Sequence, residues 1–163
     1  MESDVDPIEW SRRRWQQGRQ PDAERFAAMA AILRTHQTVC AGLDRALKDY
    51  DISRTAYLIL STLYVSRQSS LRLGQISKHL MVHPTTITLA IDQLEKRGLV
   101  TRGPDPSDRR TIMATLTKKG TQALEDANRG LADVGYGLDG VTESLAITLT
   151  EILRQVRERL GDS

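Results

Sequence analysis

Apolar positions recur at helical spacing along most of the chain. The series Phe26, Met29, Leu33, His36, Cys40, Leu43 and Leu47 advances by alternating steps of three and four. That seam holds for three heptads, so it predicts a long helix whose stripe packs on another helix, in part on a second subunit. Asp22 is placed to cap it, and Asp49-Tyr50-Asp51 ends it. Before it, Asp6 and Pro7 open a short helix that Gly18 closes, with Ile8 and Trp15 on one face and Gly18-Arg19-Gln20-Pro21 as a break. After it, Ser53 caps a helix whose apolar stripe is Tyr57, Leu60, Leu63 and Tyr64. Two short helical patterns follow, one through Leu73, Ile76 and Leu80, the other from Pro84 through Ile87, Ile91 and Leu94. Met81-Val82-His83 links them tightly, which predicts a helix-turn-helix.

Helical spacing stops at Gly98. Leu99 to Arg102 and Thr111 to Leu116 read as two short strands around Gly103-Pro104-Asp105-Pro106-Ser107-Asp108, a run dense in turn residues. They predict a β-hairpin whose exposed tip carries Arg109 and Arg110. Thr117 caps a further helix through Leu124, Ala127 and Leu131. Gly130, Gly135, Gly137 and Gly140 predict a kink or loop, because each glycine costs a helix about 1 kcal/mol. Thr142 caps the last helix, with a stripe of Leu145, Leu149, Ile152, Val156 and Leu160. The fold class expected is mainly α with a small β-hairpin wing. Four segments divide the single domain: an extra helix over 1–20, a dimerisation helix over 21–50, a winged helix-turn-helix over 51–117 and C-terminal dimerisation helices over 118–163.

Composition narrows the chemistry. With 163 residues, 39% hydrophobic and 4% aromatic, the core must be built from Leu, Ile, Val and Ala. No apolar run approaches the ~20 residues of a membrane span. The first residues are acidic (Glu2, Asp4, Asp6, Glu9), which argues against a secretory signal, and the lone cysteine argues for a reducing compartment, so a cytoplasmic protein is expected. A single cysteine, Cys40, leaves no internal disulfide to form. Lying on the apolar seam, Cys40 reads as an inert thiol, with redox sensing as the alternative. His36 on the same seam reads as a core or interface histidine. His83 is placed either to cap the second short helix or to contact phosphate. No catalytic motif and no metal or cofactor set stands out, so an enzyme is not expected.

Net charge is only +2, but it is unevenly spread. From Lys96 to Lys119, seven basic residues face two acids, a local balance of +5. From Thr121 to Ser163, eight acids face four arginines, a balance of −4. The basic middle coincides with the hairpin, which suggests a polyanion partner. Helix-turn-helix, strand, basic turn, strand is the order of a winged helix. A helix about 10–12 Å across fits the major groove of DNA, and arginines on a hairpin reach the neighbouring minor groove. With Ile87, Ile91 and Leu94 turned inward, the second helix shows Thr85, Thr86, Thr88, Gln93 and Leu89 outward.

Two stretches carry a family resemblance. Asp108-Arg109-Arg110 through Leu116-Thr117-Lys118-Lys119-Gly120 fits D-x-R-x5-L-T-x-x-G, and Leu94-Glu95-Lys96-Arg97-Gly98-Leu99-Val100-Thr101-Arg102 precedes it. Both resemble the MarR family of bacterial transcription regulators, from about Asp22 to the end of the chain. The resemblance implies a homodimer, joined by its first and last helices, whose two winged lobes grip a pseudo-palindromic operator. It implies a regulator, more commonly a repressor, that responds to a small molecule or oxidant. It places Pro84, Thr85, Thr86 and Thr88 on the recognition helix and makes Arg110 the minor-groove arginine, oriented by Asp108. Arg109 and Lys118 join this DNA-binding set. Leu89 stands where many members carry a polar or basic residue, which is the one support for an alternative role as a protein–protein module without specific DNA binding.

Trp15 on its extra helix resembles the urate-responsive subgroup. Aligning the motifs puts Leu58 and Leu89 where that subgroup carries charged ligand-binding residues. Loss of those charges points away from a buried anion. Trp15 reads first as packing for the added helix; the alternative is an effector site of Trp15, Tyr57, Leu58 and Leu89 around a small aromatic or phenolic molecule. The partners expected are therefore double-stranded DNA, a second copy of the chain and such an effector, with no membrane.

Overall fold

The computed structural model describes residues 5–162, with the side chain of Arg109 outside the description. Glu2 and Asp4 of the acidic start lie outside the described residues. The elements are α1 (Pro7–Gln17), α2 (Ala23–Lys48), α3 (Arg54–Val65), β1 (Ser70–Arg72), α4 (Leu73–Leu80), α5 (Pro84–Lys96), β2 (Val100–Asp105), β3 (Asp108–Leu116), α6 (Lys118–Asp133) and α7 (Glu143–Arg159). The fold is mainly helical with one small antiparallel sheet, in the order β1-β3-β2. No helix among the described residues is long and apolar enough to cross a membrane.

The helix starts follow local side-chain chemistry. Asp6 accepts from the Ile8 amide at 2.8 Å, Ser53 from Ala56 at 3.2 Å and Thr117 from Gly120 at 2.9 Å. Each satisfies an amide that the first helical turn leaves without a carbonyl partner. Leu47, Ile59, Leu60, Leu63, Ile76 and Ile91 are fully buried where α2, α3, α4 and α5 converge, and Leu124 and Leu131 bring α6 onto the same core.

Four expectations need correction. First, a third strand, β1, pairs Ser70 with Thr115 and Arg72 with Met113, so the wing is tied to the start of α4. Second, the hairpin strands run further than expected. Asp105 pairs with Asp108, the turn shrinks to Pro106-Ser107, and Arg109 and Arg110 sit in β3 rather than at the tip. Pro104 is tolerated because β2 is an edge strand with a register shift at that point. Third, Gly130 lies inside α6 and breaks nothing. A Cβ there would fall 2.2 Å from the Tyr50 hydroxyl, so this glycine admits the tyrosine ring. Fourth, Tyr64 is exposed together with Val65, because the last turn of α3 runs past the core.

The two predicted seams behave differently from core stripes. On α2 only Ala27 and Leu47 are buried, while Met29 and Leu33 remain 49% and 56% exposed. No residue of α7 is buried, and Leu145, Ile152 and Leu160 stand open. The N-terminal end of the α2 stripe is covered instead by α1. Trp15 stacks on Phe26 with ring centroids 3.9 Å apart and donates its indole N–H to the Pro21 carbonyl at 2.8 Å.

Arg12 completes this junction, bridging Glu9 on its own helix and Glu24 on α2. Hydrogen bonds from Arg12 and then Arg13 hold the Glu9 carboxyl down to about 2. A depressed carboxyl contributes above its ordinary value and loses that contribution as pH falls toward its folded value. Glu9→Gln is therefore expected to loosen α1 at pH 6. The difference from wild type should shrink as pH falls from about 4.5 toward 2, read by protease cleavage at the Gly18–Pro21 link. A constant difference at all pH values would exclude the ion pair as its cause.

Candidate nucleic-acid interface

The reading head starts with α4 and α5. Met81 closes α4 in a left-handed conformation (φ 52°), and Ser77 donates to the Val82 carbonyl at 2.7 Å, which keeps the link short. His83 then caps α5, its Nδ1 accepting from the Thr85 amide at 3.3 Å. Of the two roles expected for His83, the capping one is present. Pro84 fits the first helical position, where no amide donor is needed. Ile87, Ala90, Ile91 and Leu94 face the core. Pro84, Thr85, Thr86, Thr88 and Leu89 are exposed. Thr88 folds its hydroxyl back onto the Pro84 carbonyl at 3.1 Å, leaving its methyl free to point outward. Gln93 is exposed on another flank, bordering a groove shared with Lys48 and Arg54 at the α2–α3 corner.

The wing is fixed to this helix at its base. Arg102 of β2 places Nε 2.7 Å from a Glu95 carboxylate oxygen and Nη1 2.5 Å from Asp92. Its own amide donates to the other Glu95 oxygen at 3.2 Å. Arg102 holds the Glu95 carboxyl below its usual range. Two acids on this exposed helix would repel a polyanion, and the single guanidinium offsets one of the two charges while tying strand to helix. Sequence reasoning did not single out Arg102. Its partners lie seven and ten residues earlier and become neighbours only when β2 turns back along α5.

At the far end, Asp108 acts differently from expectation. Its carboxylate accepts from the Arg110 amide at 3.0 Å and the Thr111 hydroxyl at 2.8 Å. Thr111 and then the Arg110 amide hold this carboxyl low. Asp108 therefore fixes the backbone under Arg110 and is not in a fork with its guanidinium, because Arg110 leaves the strand on an exposed position. Arg109 adjoins it in β3. Lys118 opens α6 at the opposite end of β3, six strand residues past Arg110 to Leu116 and so roughly 20 Å away. It is not brought to the wing arginines. Its neighbour Lys119 donates to the Arg97 carbonyl at 2.7 Å and closes the end of α5.

The four effector residues do not converge within one chain. Trp15 lies at Phe26, whereas Tyr57 is buried in the cluster that holds Leu47. Those two α2 positions are about 31 Å apart along a straight helix. Tyr57 donates to the Asn128 side-chain oxygen at 2.8 Å, and burial raises its hydroxyl above the ordinary value. Leu58 and Leu89 are both exposed, on α3 and α5. Cys40 is half-exposed rather than buried, with Sγ 3.4 Å from Nε2 of the exposed His36. The seam that was expected to cover it is open in the single chain. Among the described residues, no group of three or more His, Cys, Asp or Glu is arranged to hold a metal ion.

Known proteins share this arrangement. Residues 52–112, which span α3 to the wing, match the MarR family. The chain is 33% identical over 128 residues to an uncharacterized HTH-type transcriptional regulator, YhbI of Bacillus subtilis, covering 74% of this chain and 82% of that one. Its fold is similar to Sco5413, a MarR family transcriptional regulator of Streptomyces coelicolor, with a TM-score of 0.76, 32% identity and coverage of 85% and 96%. It is also similar to Sco3205, a MarR family regulator of the same organism solved in complex with DNA, with a TM-score of 0.74, 29% identity and coverage of 85% and 89%.

Proposed function

Since the chain belongs to the MarR family and is a DNA-binding transcription regulator, we propose that it works as a homodimeric repressor on a pseudo-palindromic operator. The observation that carries this reading is the joined reading head. Thr85, Thr86 and Thr88 face outward on a helix that Arg102 ties to the wing bearing Arg110. The helix enters a major groove, its threonines meeting bases and phosphates, while Arg110 and Arg109 take the minor groove beside it. Pro84, Gln93 and Asp108 support this set through the helix start, the helix flank and the strand backbone. Lys118 belongs to a separate phosphate contact at the wing base.

The uncovered stripes of α2 and α7 supply the dimer surface. Exposed Met29, Leu33, Leu145 and Ile152 are too many apolar side chains to leave in water along two helices. Two-fold symmetry then sets two half-sites about one helical turn (~10 bp) apart. A dimer lying across a promoter excludes polymerase, which makes repression the simplest mode. Its place of action is the cytoplasm, where the DNA is, and its role is binding rather than catalysis. The effector is a small aromatic or phenolic molecule, for which Trp15 and Tyr57 are the anchors and Leu58 and Leu89 the apolar neighbours. Because those anchors lie apart in one chain, their site requires the second subunit.

The test is affinity for DNA upstream of the chain's own gene against a scrambled duplex, at two salt concentrations, with sedimentation to count subunits. Specific recognition predicts a preference of about a thousandfold or more. It also predicts a steep loss of affinity between roughly 50 and 200 mM salt, through release of counterions from neutralised phosphates. Equal, weak binding to every duplex, with fragments selected from the genome included, would defeat the operator reading. A monomer at micromolar concentration would defeat the dimer.

A further inference from the structure

We propose that Arg72 is a positioning residue for DNA binding: it reaches from β1 to the buried Asp105 and so fixes the direction in which the wing presents Arg110. The inference rests on the reading of Arg110 as a DNA contact.

Asp105 is the anomaly that leads to it. A carboxylate at the end of an exposed hairpin normally faces water, yet this side chain is only 7% exposed. Three donors converge on it. The Ser107 amide and hydroxyl both donate to Oδ1 at 2.7 Å, and Arg72 Nε donates to Oδ2 at 2.5 Å. Arg72 Nη2 then donates to the Ser107 hydroxyl oxygen at 3.0 Å and closes the ring. The Ser107 contacts and the Arg72 contact together hold the Asp105 carboxyl down to about 2, so it is fully charged at any physiological pH. A buried charge deprived of its partners is costly, so the turn conformation that keeps all three donors is strongly favoured.

The donors do different jobs. Ser107 is two residues from Asp105 and can only shape the turn. Arg72 comes from outside the hairpin, 33 residues away along the chain. It is itself anchored twice. Its backbone pairs with Met113 of β3, and its amide donates to the Gln75 side chain at 3.0 Å at the start of α4. The ring therefore sets the turn relative to the helix-turn-helix. Just past the turn, Asp108 fixes the Arg110 amide, so the direction of Arg110 follows from that of the turn. With Arg102 holding the wing base, two guanidinium contacts fix the hairpin at both ends.

Arg72 is still 44% exposed, and its obvious competing role is a direct phosphate contact. The two roles predict opposite signs for Asp105→Asn. As a positioning residue, Arg72 loses its anchor, and affinity for the operator falls by about tenfold. As a phosphate contact, Arg72 is released toward DNA, and affinity holds or rises. Arg72→Lys separates them again. It keeps the charge but lacks the planar fork, so it restores a phosphate contact and does not restore the ring.

The experiment is a double-mutant cycle on operator affinity with Arg72→Gln, Arg110→Ala and the pair, alongside Asp105→Asn and Arg72→Lys. Melting curves confirm that each variant is folded. Expected are similar losses for Arg72→Gln, Arg72→Lys and Asp105→Asn, and no further loss from Arg72→Gln once Arg110 is gone. Additive losses, rescue by lysine, or undiminished binding by Asp105→Asn would overturn the proposal. Should Asp105→Asn fail to fold, Ser107→Ala removes one hydroxyl from the same ring and must weaken binding in the same direction. If Arg110→Ala alone binds like wild type, the wing reading itself is wrong and the positioning role goes with it. If Arg110→Ala is weakened while the Arg72 and Asp105 variants are not, only the positioning role is lost.

Discussion

Arg110→Ala is expected to weaken operator binding by about 1–3 kcal/mol while leaving the melting temperature within a few degrees of wild type. Both halves of this expectation come from placement. The side chain leaves β3 on an exposed position, and the contacts that hold its strand are made by its amide, which alanine retains. Removing the guanidinium therefore subtracts an interaction with DNA and little from the fold. The loss should be larger on operators with an A·T-rich segment under the wing, where a narrow minor groove concentrates negative potential. Affinity measured on two operators that differ only in that segment decides it. An equal loss on both would assign Arg110 to a phosphate instead of the groove.

Gly120→Ala carries the largest expected cost to stability, about 3 kcal/mol or more, as an upper case of overpacking. A Cβ at this position would lie 2.0 Å from the Leu99 carbonyl oxygen and 2.8 Å from the Leu116 side chain. Backbone cannot rotate away as a side-chain tip can. The same carbonyl accepts from the Thr117 amide at 3.1 Å and the Thr117 hydroxyl at 3.1 Å. Pushing α6 outward thus breaks the joint between the wing base and the helix that carries Leu124 and Leu131 into the core. This is the physical content of the glycine that ends D-x-R-x5-L-T-x-x-G. Denaturant unfolding of Gly120→Ala measures it, and a midpoint close to wild type would show that the joint yields without cost.

What was legible in the sequence was local. Asp6, Ser53 and Thr117 cap their helices because an N-cap depends on amides two or three residues ahead. The inward stripe of α5 was legible for the same reason, since Ile87, Ile91 and Leu94 repeat with the helix. What was not legible depends on residues far apart in sequence. β1 is three residues long, too short to show alternation, and exists because Leu71 lies beside Ala114. Arg72 and Arg102 look like ordinary surface arginines until Asp105, Asp92 and Glu95 are brought to them. Glycine and prolines over 103–106 suggest a wide loop, whereas the ladder continues through Gly103 and Pro104 along an edge. A tryptophan on a short helix suits a ligand or the packing of that helix equally well in sequence, and only the stack on Phe26 shows a packing contact.

The strand that sequence reasoning missed has a consequence for control. Through β1, the wing shares a ladder with the residue that caps α4, so backbone hydrogen bonds join helix pair and hairpin and are expected to keep them together as one piece. On the proposed reading, a signal that binds the dimer has little power to garble the code read at a single half-site. What it can change is the span between two such pieces. An induced dimer should still recognise an isolated half-site with the same base preferences, and should fail only when both halves must be reached at once. On the proposed dimer, regulation would then be a matter of gauge, like the distance between rails, rather than of the shape of either wheel.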